Sequence, residues 1–112
     1  MTYVLMLSDH FKDDLSLQMD YLSKVAPKEV VQKTLDSLLT RVEVLKNNPY
    51  LGIEPRSSDI KNWGFRVLIL DGYLVFYKVD ETAKVVMLSS FFSSKQNYLI
   101  HNHHRFSVNQ LI

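Results

Sequence analysis

The chemistry this 112-residue chain could carry is concentrated in an arginine and a tyrosine whose relation follows from turn geometry. Asp71-Gly72 sits between two alternating apolar runs, among the strongest signals for a two-residue hairpin turn. With Leu70 paired to Tyr73, counting outward sets Arg66 directly opposite Tyr77, on the face that also carries Leu68, Leu70, Tyr73 and Val75. A guanidinium and a phenol then stand side by side at one end of that face. The pair reads either as a cation beside a catalytic phenol or as an ion-pairing arginine beside a half-buried strand aromatic. Lys95 is either a phosphate contact or an exposed turn lysine. Arg56 and Lys61 lie in a polar loop, and both are expected to be solvated unless a ligand uses them. Trp63 reads as an anchor under that loop or as a base-stacking surface. His101, His103, His104 and Arg105 crowd the C-terminal tail. No acid or cysteine lies near those histidines, so a metal site is not expected there, although histidine suits proton transfer near neutral pH. The serine pairs at 57–58, 89–90 and 93–94 have no companion pattern for a nucleophile, and three glycines are too few for a phosphate-cradling loop.

The elements that must hold these residues are legible in order. Residues 3–7 form a short strand-like run, followed by Ser8 and Asp9 as helix caps. Phe11, Leu15, Leu22 and Val25 share one face of a first helix, interrupted by Gln18. Pro27 falls at the first-turn position of a second helix. Val31, Leu35, Leu38, Val42 and Leu45 recur at helical spacing until Asn47-Asn48-Pro49 closes the segment. Residues 49–64 read as loop. Residues 65–70, 73–79 and 84–92 read as three consecutive strands, the last two joined by Asp80-Glu81-Thr82. The order is β-α-α-β-β-β, an α+β layout with an N-terminal helical hairpin packed on a mainly antiparallel sheet. Phe65, Val67, Ile69, Leu74 and Phe76 make an uninterrupted apolar face, and the helices are expected against it. Leu17, Met19 and Tyr21 lie off the helical core face and leave apolar surface for a partner.

Composition narrows the class. Hydrophobic residues at 46% and charged residues at 22% are ordinary for a globular protein and exclude a disordered chain. No apolar run approaches the roughly eighteen residues of a membrane span. No basic region precedes the apolar start, so no secretory signal is expected. The absence of cysteine removes disulfides, thiolate zinc sites and thiol nucleophiles, and fits a cytoplasmic protein. Net charge is +1, but no acid follows Glu81, while Lys84, Lys95 and Arg105 remain. A basic C-terminal third can attract phosphate backbones or serve only as a solvated face. One domain over residues 1–100 is expected, with 101–112 as a mobile extension.

Phe11-Lys-Asp-Asp-Leu15, Tyr21, Ala26-Pro27 and the long helix ending in Leu45-Lys-Asn-Asn-Pro49 and Gly52 resemble toxins of the RelE/ParE family. Stronger similarity lies in Gly64-Phe-Arg66, Tyr73-Leu-Val-Phe-Tyr77-Lys-Val-Asp80, Val85-Val-Met-Leu88 and Ser93-Ser-Lys95-Gln96-Asn-Tyr98. The resemblance covers roughly residues 3 to 100, and its weight rests on the order and spacing of degenerate pieces. It implies a bacterial growth inhibitor that needs no cofactor and is neutralised by a cognate antitoxin. Two activities are implied: cleavage of messenger RNA on the ribosome, or non-hydrolytic poisoning of DNA gyrase. For cleavage, a ribose 2′-OH attacks the adjacent phosphate, which requires a base, an acid and cations around the phosphorane. Arg66 matches the family's strand arginine, suited to bidentate phosphate contact. Lys95 and Gln96 fall where the family carries basic residues, and Tyr98 matches its closing aromatic. The sequence favours RNA cleavage, with Arg66, Tyr77, Lys95 and Tyr98 as catalytic candidates and Arg56, Lys61 and Gln96 as phosphate contacts. Gyrase inhibition is the alternative, and a non-toxic binding module the outsider.

Overall fold

The computed structural model of the chain describes residues 2–56, 58–94, 98–100 and 104–106. A four-stranded sheet has the order β1-β4-β3-β2, with β1 Val4–Leu7, β2 Arg66–Leu70, β3 Tyr73–Asp80 and β4 Val85–Ser93. β1 runs parallel to β4, and the other pairs are antiparallel. Helices α1 (Asp9–Val25) and α2 (Lys28–Glu43) form the expected hairpin, and a 3-10 turn over Val44–Lys46 extends the second. β5 (Tyr98–Ile100) and β6 (His104–Phe106) pair as a separate two-stranded unit. His104–Phe106 are the described residues of the segment expected as an extension.

Local chemistry explains the joints. Ser8 is extended and its hydroxyl accepts the Phe11 N–H, which caps α1. The same hydroxyl donates to the Ser89 carbonyl at 3.1 Å, and the Ser8 N–H donates to Leu88. Farther along α1, the Asp14 carboxylate accepts the Phe91 N–H at 3.0 Å. Where β1 ends, α1 therefore takes over satisfying the backbone of β4. Pro27 is the N-cap of α2 rather than its first helical residue, with an extended ψ of 157°. The Asp71-Gly72 turn has the expected register, Gly72 at φ +79°, and Arg66 is paired with Tyr77. A bulge at Ser89 lets Phe76 face Ser90 while Tyr77 faces Leu88.

Four expectations are corrected. The helical hairpin packs on the face of Leu68, Leu70, Val75 and Tyr77, joined there by Val86, Leu88 and Phe91. The face predicted for it carries Phe65, Val67, Leu74, Phe76 and Phe92, and is closed instead by Ile60 and Trp63. The reason is breadth. The helix-covered face stays apolar out to Leu5 and Leu7 of β1, whereas the other carries Lys78 and ends in exposed Val4 and Met6. Ile60 belongs to a short helix, α3 (Ser58–Asn62), within the segment read as loop. Along α1, Phe11 is buried and packs edge-on to Phe91, but Val25 is 65% exposed. Leu17 and Tyr21 are exposed as expected, while Met19 packs against the core.

Ser8 carries two of these joints, so Ser8→Ala should lower the unfolding free energy by about 1–2 kcal/mol, the usual range for a lost helix cap. Urea titration followed by circular dichroism measures it, and an unchanged midpoint would show that neither bond contributes.

Candidate functional site

The predicted Arg66–Tyr77 pair exists, but it faces a loop. Residues 49–53 fold back over the start of β2, and Ile53 exchanges two 2.9 Å backbone bonds with Val67. The Tyr77 side chain is fully buried, and its hydroxyl accepts the Gly52 N–H at 2.8 Å. A Cβ added at Gly52 would lie 2.6 Å from that hydroxyl and 2.8 Å from the Val67 carbonyl, so only glycine lets the loop approach this closely. Arg66 is held by the same loop. Its Nη2 donates to the Gly52 carbonyl at 2.6 Å and to the Tyr50 carbonyl at 3.1 Å. Its guanidinium lies 5.3 Å from the centre of the Tyr50 ring. The Tyr50 hydroxyl in turn donates to Glu81 at 2.5 Å, and Tyr3 donates to the same carboxylate oxygen at 2.6 Å.

Electrostatics follow from these contacts. Burial pushes the Tyr77 phenol up, against the opposing pull of the Gly52 N–H and the Arg66 guanidinium. A phenol raised above its ordinary value of 10.0 stays protonated at neutral pH and is a poor base. Tyr50 is pushed up to about 12, chiefly by its bond to Glu81. Glu81 moves the opposite way, held down by the two phenols that donate to it. Glu54 sits 3.1 Å from Lys61 and 3.9 Å from Arg66, so one carboxylate serves a predicted phosphate contact and a predicted catalytic cation. The depression they border measures about 170 Å³, below the roughly 300 Å³ at which small-molecule pockets begin.

The structure thus brings Arg66, Tyr77 and Lys61 into one neighbourhood. Arg56 lies exposed on the preceding loop, and Tyr98 is the first residue of β5. Lys95 and Gln96 lie outside the described residues. Tyr50, Gly52 and Glu81 organise the site and were not singled out for it. Gly52 had registered only within the family resemblance, and nothing local in the sequence joins Tyr50 to Glu81, 31 positions away. Among the described residues no cluster of histidine and acidic residues could hold a metal ion.

A family model described as the ParE toxin of the type II toxin–antitoxin system parDE matches residues 5–98. The chain belongs to this ParE toxin family. Solved structures agree in fold. A chain of the chromosomal ParDE system from P. aeruginosa superposes with a TM-score of 0.68 at 17% identity, covering 82% of this chain and 96% of that one. A chain of the toxin–antitoxin complex RelBE2 from Mycobacterium tuberculosis gives 0.54 at 12% identity, covering 83% and 99%. Among curated proteins none matches. The protein is thus a type II toxin of the ParE/RelE class, as the resemblance implied, and its α+β layout is that of these relatives. The match spans β1 to the start of β5 and takes in the Arg66 loop clamp.

Two substitutions separate structure from chemistry in this ParE-family clamp. Tyr77→Phe leaves the Gly52 N–H buried without its acceptor and should cost about 1–3 kcal/mol of stability. Gly52→Ala drives a methyl group into backbone and phenol and should cost about as much or more. Thermal unfolding measures both. Tyr77→Phe should keep growth inhibition wherever the fold and the 49–53 loop both stay in place, and its loss in such a variant would restore the phenol to catalysis.

Proposed function

We propose that this ParE-family toxin arrests growth by binding a protein target, DNA gyrase, without hydrolysis, and that a cognate antitoxin holds it inactive. The observation that carries the reading is the engagement of Arg66 and Tyr77 by the 50–52 loop. The guanidinium commits Nη2 to two carbonyls of its own chain, its Nη1 lies beside Glu54 and its Nε is buried. The phenol is fully buried. Neither is presented to a phosphate as a ribonuclease would require, where donors must point at the developing charge. This reverses the order of preference reached from the sequence, and the family description points the same way. Ribosome-dependent RNA cleavage stands as the competing reading.

The antitoxin is supported by two observations. Both structural relatives are named as systems or complexes with an antitoxin. This chain also leaves Leu17, Tyr21 and Val25 of α1 at 65–68% exposure, a run of apolar surface on the helical hairpin. A helical or disordered antitoxin segment laid over the hairpin and sheet would cover it. No described helix is long and apolar enough to cross a membrane, and both activities belong in the cytoplasm.

Induction of the toxin alone, with messenger RNA mapped by primer extension and DNA breaks scored in the same cells, decides the target. Double-strand breaks, an SOS response and rescue by altered gyrase are expected. Ribosome-dependent cuts in messenger RNA without DNA damage would overturn the proposal. Purified toxin should also bind the product of the adjacent reading frame, and Leu17→Asp with Tyr21→Ser should weaken that binding at least tenfold.

A further inference from the structure

We infer that the clamped loop and the neighbouring β2 edge form the surface that engages the toxin's protein target, and that Arg66 serves that surface as a positioning residue. The inference rests on the target-binding reading above. Ordered loops that pack well turn their apolar side chains inward, yet this one does the reverse. Tyr50, Leu51 and Ile53 are 51%, 54% and 41% exposed, and Ile69 on β2 is 44% exposed. Ile53 is registered opposite Val67, so Ile53 and Ile69 occupy diagonal positions on one face of the edge. The backbone beneath them is fixed by the Gly52–Tyr77 bond, two Arg66 bonds, the paired Ile53–Val67 bonds and the Tyr50–Glu81 bond. Apolar side chains held rigidly in water lose little conformational freedom on association, which is the arrangement that makes a strong anchor.

Charge selects the occupant. Arg41 of α2 reaches this edge, where its Nη2 contacts the Ile69 carbonyl at a long 3.4 Å. Among the described residues its ion pair is with Asp71 at 3.9 Å, and 45% of its side chain remains exposed. Lys61, on the other flank, is already neutralised by Glu54 at 3.1 Å. An exposed cation held by one long ion pair therefore borders Ile69, and the surface fits a folded protein that presents apolar side chains flanked by a carboxylate. It differs from the surface assigned to the antitoxin, which centres on Leu17, Tyr21 and Val25 of α1.

The surface also changes what an Arg66 variant means. A catalytic arginine and a loop-positioning arginine both abolish toxicity when removed. Under the positioning role alone, side chains that have no chemistry must matter equally. The test combines Leu51→Ser with Ile69→Thr, and separately makes Arg41→Glu, in the full chain. Growth on induction, thermal unfolding and binding to the adjacent-frame antitoxin are measured for each. Both variants should raise survival at least tenfold while binding antitoxin within about twofold of the parent. A folded variant pair with undiminished toxicity overturns the inference, and so does parallel loss of antitoxin binding, which would make this the antitoxin's surface. Should the double variant unfold, the exposed Arg41→Glu change decides alone. Messenger RNA cleavage by the parent toxin would defeat the gyrase reading, and the variants would still report whether this surface is needed.

Discussion

A single buried phenol links the two halves of this molecule. Tyr77 lies at the centre of β3, fully buried under the helical hairpin, and its hydroxyl needs a partner in a region without water. The Gly52 N–H supplies it, and in doing so draws the 49–53 loop across the start of β2. The loop's carbonyls then face Arg66, its Ile53 completes the edge beside Val67, and its Tyr50 reaches Glu81. These contacts all lie within five residues of loop, so they hold one short segment in place together. The requirement for glycine at position 52 is steric and absolute in this geometry, since any β-carbon would overlap the hydroxyl that holds it.

The two edges of the sheet are treated differently, and the difference has a physical basis. At β2 the outward N–H and C=O of Val67 are consumed by Ile53, and the Ile69 carbonyl meets Arg41. At β1 the Tyr3 N–H finds the Lys46 carbonyl, and beyond Leu7 the chain turns into α1, whose Ser8 and Asp14 side chains serve β4 in place of a strand. Short edges and side-chain substitutes of this kind keep an exposed sheet from pairing indiscriminately.

Much of this fold was legible because its signals are local. The Ser8 cap, the heptad-like spacing from Val31 to Leu45 and the Asp71-Gly72 turn each specify their element within a few residues. The turn even specified that Arg66 faces Tyr77, since a two-residue hairpin allows one register. Which face receives the helices was not legible from that hairpin, because both of its faces are apolar. Only β1 and β4, far away in sequence, extend one of them. α3 was hidden for a related reason: with five residues it has too little length for a helical period to emerge between Pro55 and Gly64.

The same distinction between local and distant information explains the candidate site. Side-chain adjacency could be counted from the turn, but what else each group touches depended on a loop whose path has no periodicity. An arginine opposite a tyrosine on a strand is compatible with catalysis as long as both are free. Once Gly52 occupies the phenol and two carbonyls occupy Nη2 of the guanidinium, the pair becomes the anchor of a loop. On the proposed reading, function is displaced outward by one layer. The polar groups supply rigidity from beneath, and what the solvent meets is Tyr50, Leu51, Ile53 and Ile69. Catalysis would need the donors exposed and aimed at a reacting group, whereas recognition of a protein needs the apolar groups exposed and the donors spent on holding them still. The exposure of Tyr50, Leu51, Ile53 and Ile69 supports the second, which is the reading proposed for this toxin.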